Sequence, residues 1–134
     1  MKIDHGYLKG LLEAFEDSPE PTTDIEALAR AGFSYDADTS NFIFHMALLN
    51  DMGLIEREDG DAGFGLYAGI GGFNSWSVMP LRLTANGHGF LEALRNNKVW
   101  STIQRDFKNV GIRTMYQVAT SLFAAYLTNK ITNL

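Results

Sequence analysis

Three histidines, His5, His45 and His88, are the side chains of this sequence best placed by chemistry for proton transfer or metal ligation near neutral pH. None has a second histidine or a set of carboxylates at ligand spacing, Asp4 beside His5 excepted, so no metal site is expected. His45 lies one turn before Leu48 and Leu49 in NFIFHMALLN and is open to two readings. It could present its ring to a base or phosphate, or it could be a buried ring hydrogen-bonded to backbone. Cysteine is absent, which excludes a thiolate nucleophile, a disulfide framework and a thiolate metal centre. Serines and aspartates occur near one another, but without a nucleophile elbow or a paired-carboxylate arrangement. Gly63-Phe64-Gly65 and Gly69-Ile70-Gly71-Gly72 superficially suggest a phosphate loop. A working loop of that kind joins a strand to a helix and ends in Lys-Ser/Thr, which no glycine run here does. No catalytic residue, cofactor or small-molecule substrate is therefore expected, and the glycines read as turn formers.

The cations are the other chemically active set. Arg57, Arg82, Arg95, Lys98 and Arg105 are candidate contacts to phosphate or to an acidic partner, with an ordinary solvated face as the alternative. The chain is acidic, with a formal net charge of −5. Residues 1–60 hold four Lys/Arg against thirteen Asp/Glu, and residues 61–134 hold seven against three. Nucleic-acid binders gain affinity by neutralising phosphates, so any such contact must come from the second half. The same asymmetry could steer the acidic half of one copy onto the basic half of another.

The elements that position these residues follow from apolar spacing. Tyr7, Leu8, Leu11, Leu12 and Phe15 give residues 6–16 one buried helical stripe, stopped by Ser18-Pro19-Glu20-Pro21. A short helix over 24–31, capped by Thr22 or Thr23, ends at Gly32. The third helix spans 38–52, with a cap from Asp38, Thr39 or Ser40. Ile43, Met46, Ala47 and Leu49 face inward beside Phe42, and Gly53 is its left-handed terminator. A strand over 54–57 enters a glycine-rich wing over 60–75, and Trp76–Leu83 is the returning strand, with Pro80 at an edge or bulge. Thr84 caps a helix over 85–96; helical spacing continues over 97–109, and after Gly111 a last helix covers 113–129. The N-terminus lacks the apolar core of a signal peptide and no run approaches the ~20 residues of a membrane span, so a cytoplasmic location is expected, with no membrane partner.

The order helix, helix, helix, strand, glycine-rich tip, strand, helix is the winged helix-turn-helix plan. FHMALLNDMGLI (44–55), PLRLTANGHGFLEAL (80–94) and the Asn97-Lys98-Val99-Trp100 run that follows resemble a family of uncharacterised phage and bacterial proteins, a domain of unknown function. The resemblance implies a mainly helical α+β fold. Its winged helix-turn-helix core would span 1–96 and a C-terminal helical extension 97–134, packed on the core or on a partner subunit. The wider winged-helix group mostly binds duplex DNA through its third helix. Carried over by position, helix 38–52 would present Asn41, Phe44, His45, Leu48 and Asn50. That set departs from a DNA reader, because no Lys or Arg lies between Gly32 and Glu56 while Asp36, Asp38 and Asp51 would repel phosphate.

Two functions follow. The first is a non-enzymatic protein-interaction module of phage or mobile-element type that modulates a protein complex. The alternative is a DNA-binding transcriptional regulator with helix 38–52 as recognition helix. A protein partner is favoured over DNA. The wide C-terminal stripe, with Met115, Leu122, Phe123 and Tyr126, is expected to form a homodimer through terminal helices.

Overall fold

The first helix starts where a carboxylate can satisfy a free amide. In the computed structural model, which describes all residues Met1–Leu134, the Asp4 side chain accepts from the Tyr7 amide at 2.9 Å and opens α1 (His5–Glu16). Leu8, Leu11, Leu12 and Phe15 turn one face of α1 into the core. Asp24 caps α2 (Ile25–Arg30) by accepting from the Ala27 amide at 2.8 Å. The expected cap, Thr22 or Thr23, is corrected. Thr23 is held extended by two backbone bonds exchanged with Leu81 (2.7 and 2.8 Å), so the helix boundary falls one residue later.

The third helix, α3 (Thr39–Asp51), buries Phe42, His45, Met46 and Leu49, while Ile43 and Ala47 are half-buried. Asp38 occupies its cap position without a side-chain bond to the helix amides, because its carboxylate accepts from the Asn41 amide group at 3.1 Å. Gly53 follows at φ +66°, the left-handed conformation that releases the chain into the sheet.

The sheet is two separate antiparallel ladders. Strand β1 (Ile55–Arg57) pairs with β4 (Leu81–Leu83), Glu56 opposite Arg82. Strand β2 (Leu66–Ala68) pairs with β3 (Asn74–Trp76), Leu66 opposite Trp76, and a 3₁₀ turn at Ile70–Gly72 forms the tip. The expected single returning strand over 76–83 is thus split. Ser77 still donates to Gly65 O (2.8 Å) and Pro80 O still accepts from the Glu58 amide (2.9 Å). Pro80 itself has no amide to donate, so ladder pairing resumes only at Leu81. Gly65 makes the close approach possible: at φ +100°, a Cβ there would stand 2.3 Å from the Ser77 carbonyl oxygen.

Thr84 accepts from the Gly87 amide at 3.1 Å and opens α4 (Ala85–Arg95). Asn96 caps α5 (Asn97–Asp106) through bonds from the Lys98 and Val99 amides (3.0 and 3.1 Å). The final helix, α6 (Ile112–Thr132), is longer than the apolar spacing suggested. It packs on α4 and α5, and α4 also packs on α1. One apolar core results: Ile103, Met115 and Ala119 from the last two helices belong to the same cluster as Leu8, Phe42 and Phe90. The architecture is α+β and mainly helical, and no helix is long and apolar enough to cross a membrane.

Candidate functional site

The residues expected on the outward face of α3 separate into two groups. His45 has 0% exposure. Its Nδ1 donates to the Asn41 carbonyl (2.8 Å) and its Nε2 accepts from the Asp4 amide (2.9 Å), so both ring nitrogens are committed and the ring is neutral. Burial lowers its pKa below the ordinary 6.5, against the opposing pull of the Asn41 bond and the Asp4 and Asp38 charges. Of its two readings, the backbone-bonded buried ring is the one found, and His45 is corrected from a contact residue to a clamp between α3 and the start of α1. Asn41 and Asn50 are half-buried. Asn41 is occupied by Asp38 and His45, and the Asn50 carbonyl accepts from Gly53 (3.1 Å). Phe44 and Leu48, one turn apart, line an open recess of about 260 Å³ bordered by Ile3, by Lys2 and Lys108, and by the α5–α6 turn at Val110–Ile112. The exposed residues of α3 are the polar Ser40 and Asp51, while its outer apolar pair, Phe44 and Leu48, is half-buried.

Of the candidate cations, Lys98 and Arg105 share a polar recess with Asn97, Ser101 and Thr102, while Arg57, Arg82 and Arg95 stand apart in ion pairs. Arg57 is buried, gripped by Asp59 through Nε (3.0 Å) and Nη2 (2.5 Å), with Tyr67 Oη at 3.4 Å and Asp61 at 3.8 Å. These bonds raise its pKa and hold the Asp59 carboxyl below its usual range. As a phosphate contact Arg57 is corrected: its donors are spent within the wing base. Arg82 donates to Glu56 across the ladder (2.5 Å), Arg95 to Glu16 on α1, and Arg105 to Asp106 (3.0 Å). Lys98 makes no ion pair and stands exposed at the start of α5.

The C-terminal set also divides. Met115 is fully buried in the core, which corrects it as an intersubunit contact. Leu122 and Tyr126 line a groove facing Val99 and Thr102 of α5, and Phe123 lies alongside, stacked on Tyr126 at 6.1 Å.

Two features escaped the sequence. The Tyr7 hydroxyl is buried without a hydrogen-bond partner, its ring 4.6 Å from His45 and 5.1 Å from Phe33. Burial, and after it the Asp38 charge, pushes its pKa up to about 12. The second is the wing tip, where Ile70 is 99% and Phe73 80% exposed. Its signal was present, since residues 62–81 hold no charged side chain.

The fold and these surfaces describe a mainly helical α+β domain. The chain belongs to the family described as "Hypothetical protein (DUF2513)", whose model matches residues 2–113. It is similar to an "Uncharacterized protein" of Haemophilus influenzae, 25% identical over 131 residues that cover 95% of this chain and 99% of the relative. No solved structure matches.

Proposed function

We propose that this protein is a non-enzymatic winged-helix protein-contact module, of the phage or mobile-element type that its motifs resemble. The order α1–α3, the β1–β4 ladder extended by the β2–β3 wing, and then α4 supports the winged-helix reading. One observation carries the functional reading. The side through which such a fold reads DNA is poor in free cations: α3 has no Lys or Arg, the wing over 62–81 is uncharged, and Arg57 and Arg82 at its base are held by Asp59 and Glu56, which leaves Lys2 and Lys108, beside Phe44 and Leu48, as the unpaired cations next to α3. The wing ends on exposed Ile70 and Phe73, side chains that gain free energy by entering an apolar pocket and none by meeting phosphate. DNA binding is the second reading. The element order favours it, as do Lys98, Lys108 and Arg113, which have no ion-pair partner.

Fluorescence anisotropy with mixed-sequence duplex DNA separates the two. Non-specific DNA binders show dissociation constants of roughly 10⁻⁴–10⁻⁶ M at physiological salt and bind far tighter at low salt. The expected result is no saturable binding even at low salt. Binding that weakens steeply as salt rises would establish the regulator instead.

A further inference from the structure

On α6, Tyr116, Thr120, Phe123, Leu127 and Ile131 recur at intervals of four, three, four and four, the spacing of a helix–helix seam. The seam begins inside the molecule: the Tyr116 ring lies 5.3 Å from Phe90 of α4. Beyond Ala119 no α6 residue is buried, yet the apolar row continues, with Leu127 41% and Ile131 67% exposed. Leu122 and Tyr126 are turned toward α5 and are not part of it. From Thr114 onward Lys130 is the single charged side chain.

We infer that this outer seam pairs with the same seam of a second copy, antiparallel, with Leu127 on the two-fold axis. In that register Leu127 meets Leu127 and Phe123 meets Ile131, so both large exposed apolar side chains of the helix, Leu127 and Ile131, are covered. The charge pattern selects the direction. Parallel pairing sets Lys130 against Lys130, whereas antiparallel pairing sets it beside the small, exposed Ala124 of the other copy. It also brings opposite ends of the helix macrodipoles together. A seam with no acidic side chain offers nothing to the cations of an unrelated basic helix, and self-pairing requires none. Residues 120–132 extend about 20 Å at 1.5 Å per residue. So short a contact falls below the ~800 Å² per partner of a standard interface, and the pairing is reversible with concentration. This pairing rests on α6 alone, and either it or the protein-contact reading can fail without the other.

The lack of cysteine makes the test direct. Leu127→Cys should form disulfide-linked dimers under mild oxidation. Ala125→Cys, two residues away and about 160° around the helix, should not. Phe123→Cys alone should cross-link slowly, whereas a mixture of Phe123→Cys and Ile131→Cys should give the mixed dimer. Sedimentation equilibrium of the unsubstituted chain should show two copies dissociating on dilution, and Leu127→Glu, at an exposed position, should remain folded and single. Equal cross-linking at positions 125 and 127, fast self-linkage at 123, or a single species for the unsubstituted chain at every concentration overturns the inference.

Discussion

At the scale of single residues, the bond from the Asp4 amide to His45 requires an unprotonated Nε2, because a protonated ring would face the amide donor with a second donor. Burial lowers the folded-state pKa below 6.5, so between that value and 6.5 the unfolded chain binds more protons than the folded one. Stability from this residue is therefore fully present above pH 6.5 and is lost as pH falls toward the folded-state value. Urea unfolding of the protein and of His45→Gln should differ most at pH 7.5, by about 1–3 kcal/mol for a buried hydrogen-bonding pair left unsatisfied. The difference should shrink steadily by pH 5; a difference independent of pH would show that the ring is not held neutral. The sequence could offer this ring only as two alternatives, because the deciding partner is 41 residues away along the chain. Tyr7 and Arg57 were opaque for related reasons. The burial of the Tyr7 hydroxyl depends on how α1 meets α3, and the spacing of Arg57 from Asp59 does not reveal that the pair closes on Tyr67.

At the scale of elements, apolar spacing located every helical stretch, since each has a buried side to encode, but it ran α4 on into α5, where the extended Asn96 in fact separates two helices, and it placed the other boundaries less well. Caps and strand ends depend on partners: Thr23 lost its capping role to a bridge with Leu81, and the returning strand divided where Pro80 withholds a donor. Helix α4 shows how one element carries two glycines of opposite meaning. A Cβ on Gly87 would stand 2.1 Å from the Leu54 carbonyl oxygen, which is backbone and already accepts from the Thr84 amide. A Cβ on Gly89 would meet nothing within 4 Å. Gly87→Ala should destabilise by about 1–3 kcal/mol or more, because α4 must move off the Leu54 backbone that leads into β1. Gly89→Ala should stabilise by roughly 0.4–1 kcal/mol through the lower entropy of the unfolded chain. Thermal unfolding of the two variants in parallel tests both, and equal effects would mean that α4 does not sit this close to the Leu54 backbone.

For the whole molecule, the charge asymmetry was legible as a sum, but its consequence was not. The ion pairs that occupy Arg82 and Arg95 join residues 26 and 79 positions apart, Glu56 and Glu16, and so link the acidic first half to the basic second half within one copy. Core packing joins the same halves. Val99, Ile103, Ile112 and Met115 of α5 and α6 are buried in the cluster that includes α1, α3 and α4. At roughly 1.5–3 kcal/mol for each fully buried side chain, these four contribute about 6–12 kcal/mol, comparable to the ~5–15 kcal/mol net stability of a domain. Residues 1–96 alone would also leave the α6-facing side of Phe90 in water. That fragment should show no cooperative thermal transition by circular dichroism. Residues 1–121 keep each buried side chain, through Ala119, and should melt cooperatively. Lacking Phe123, Leu127 and Ile131, they should also sediment as a single chain at concentrations where the full chain pairs. A cooperative, helical 1–96 fragment would mean that the first four helices and the β1–β4 ladder close a core of their own, with α5 and α6 only resting upon it.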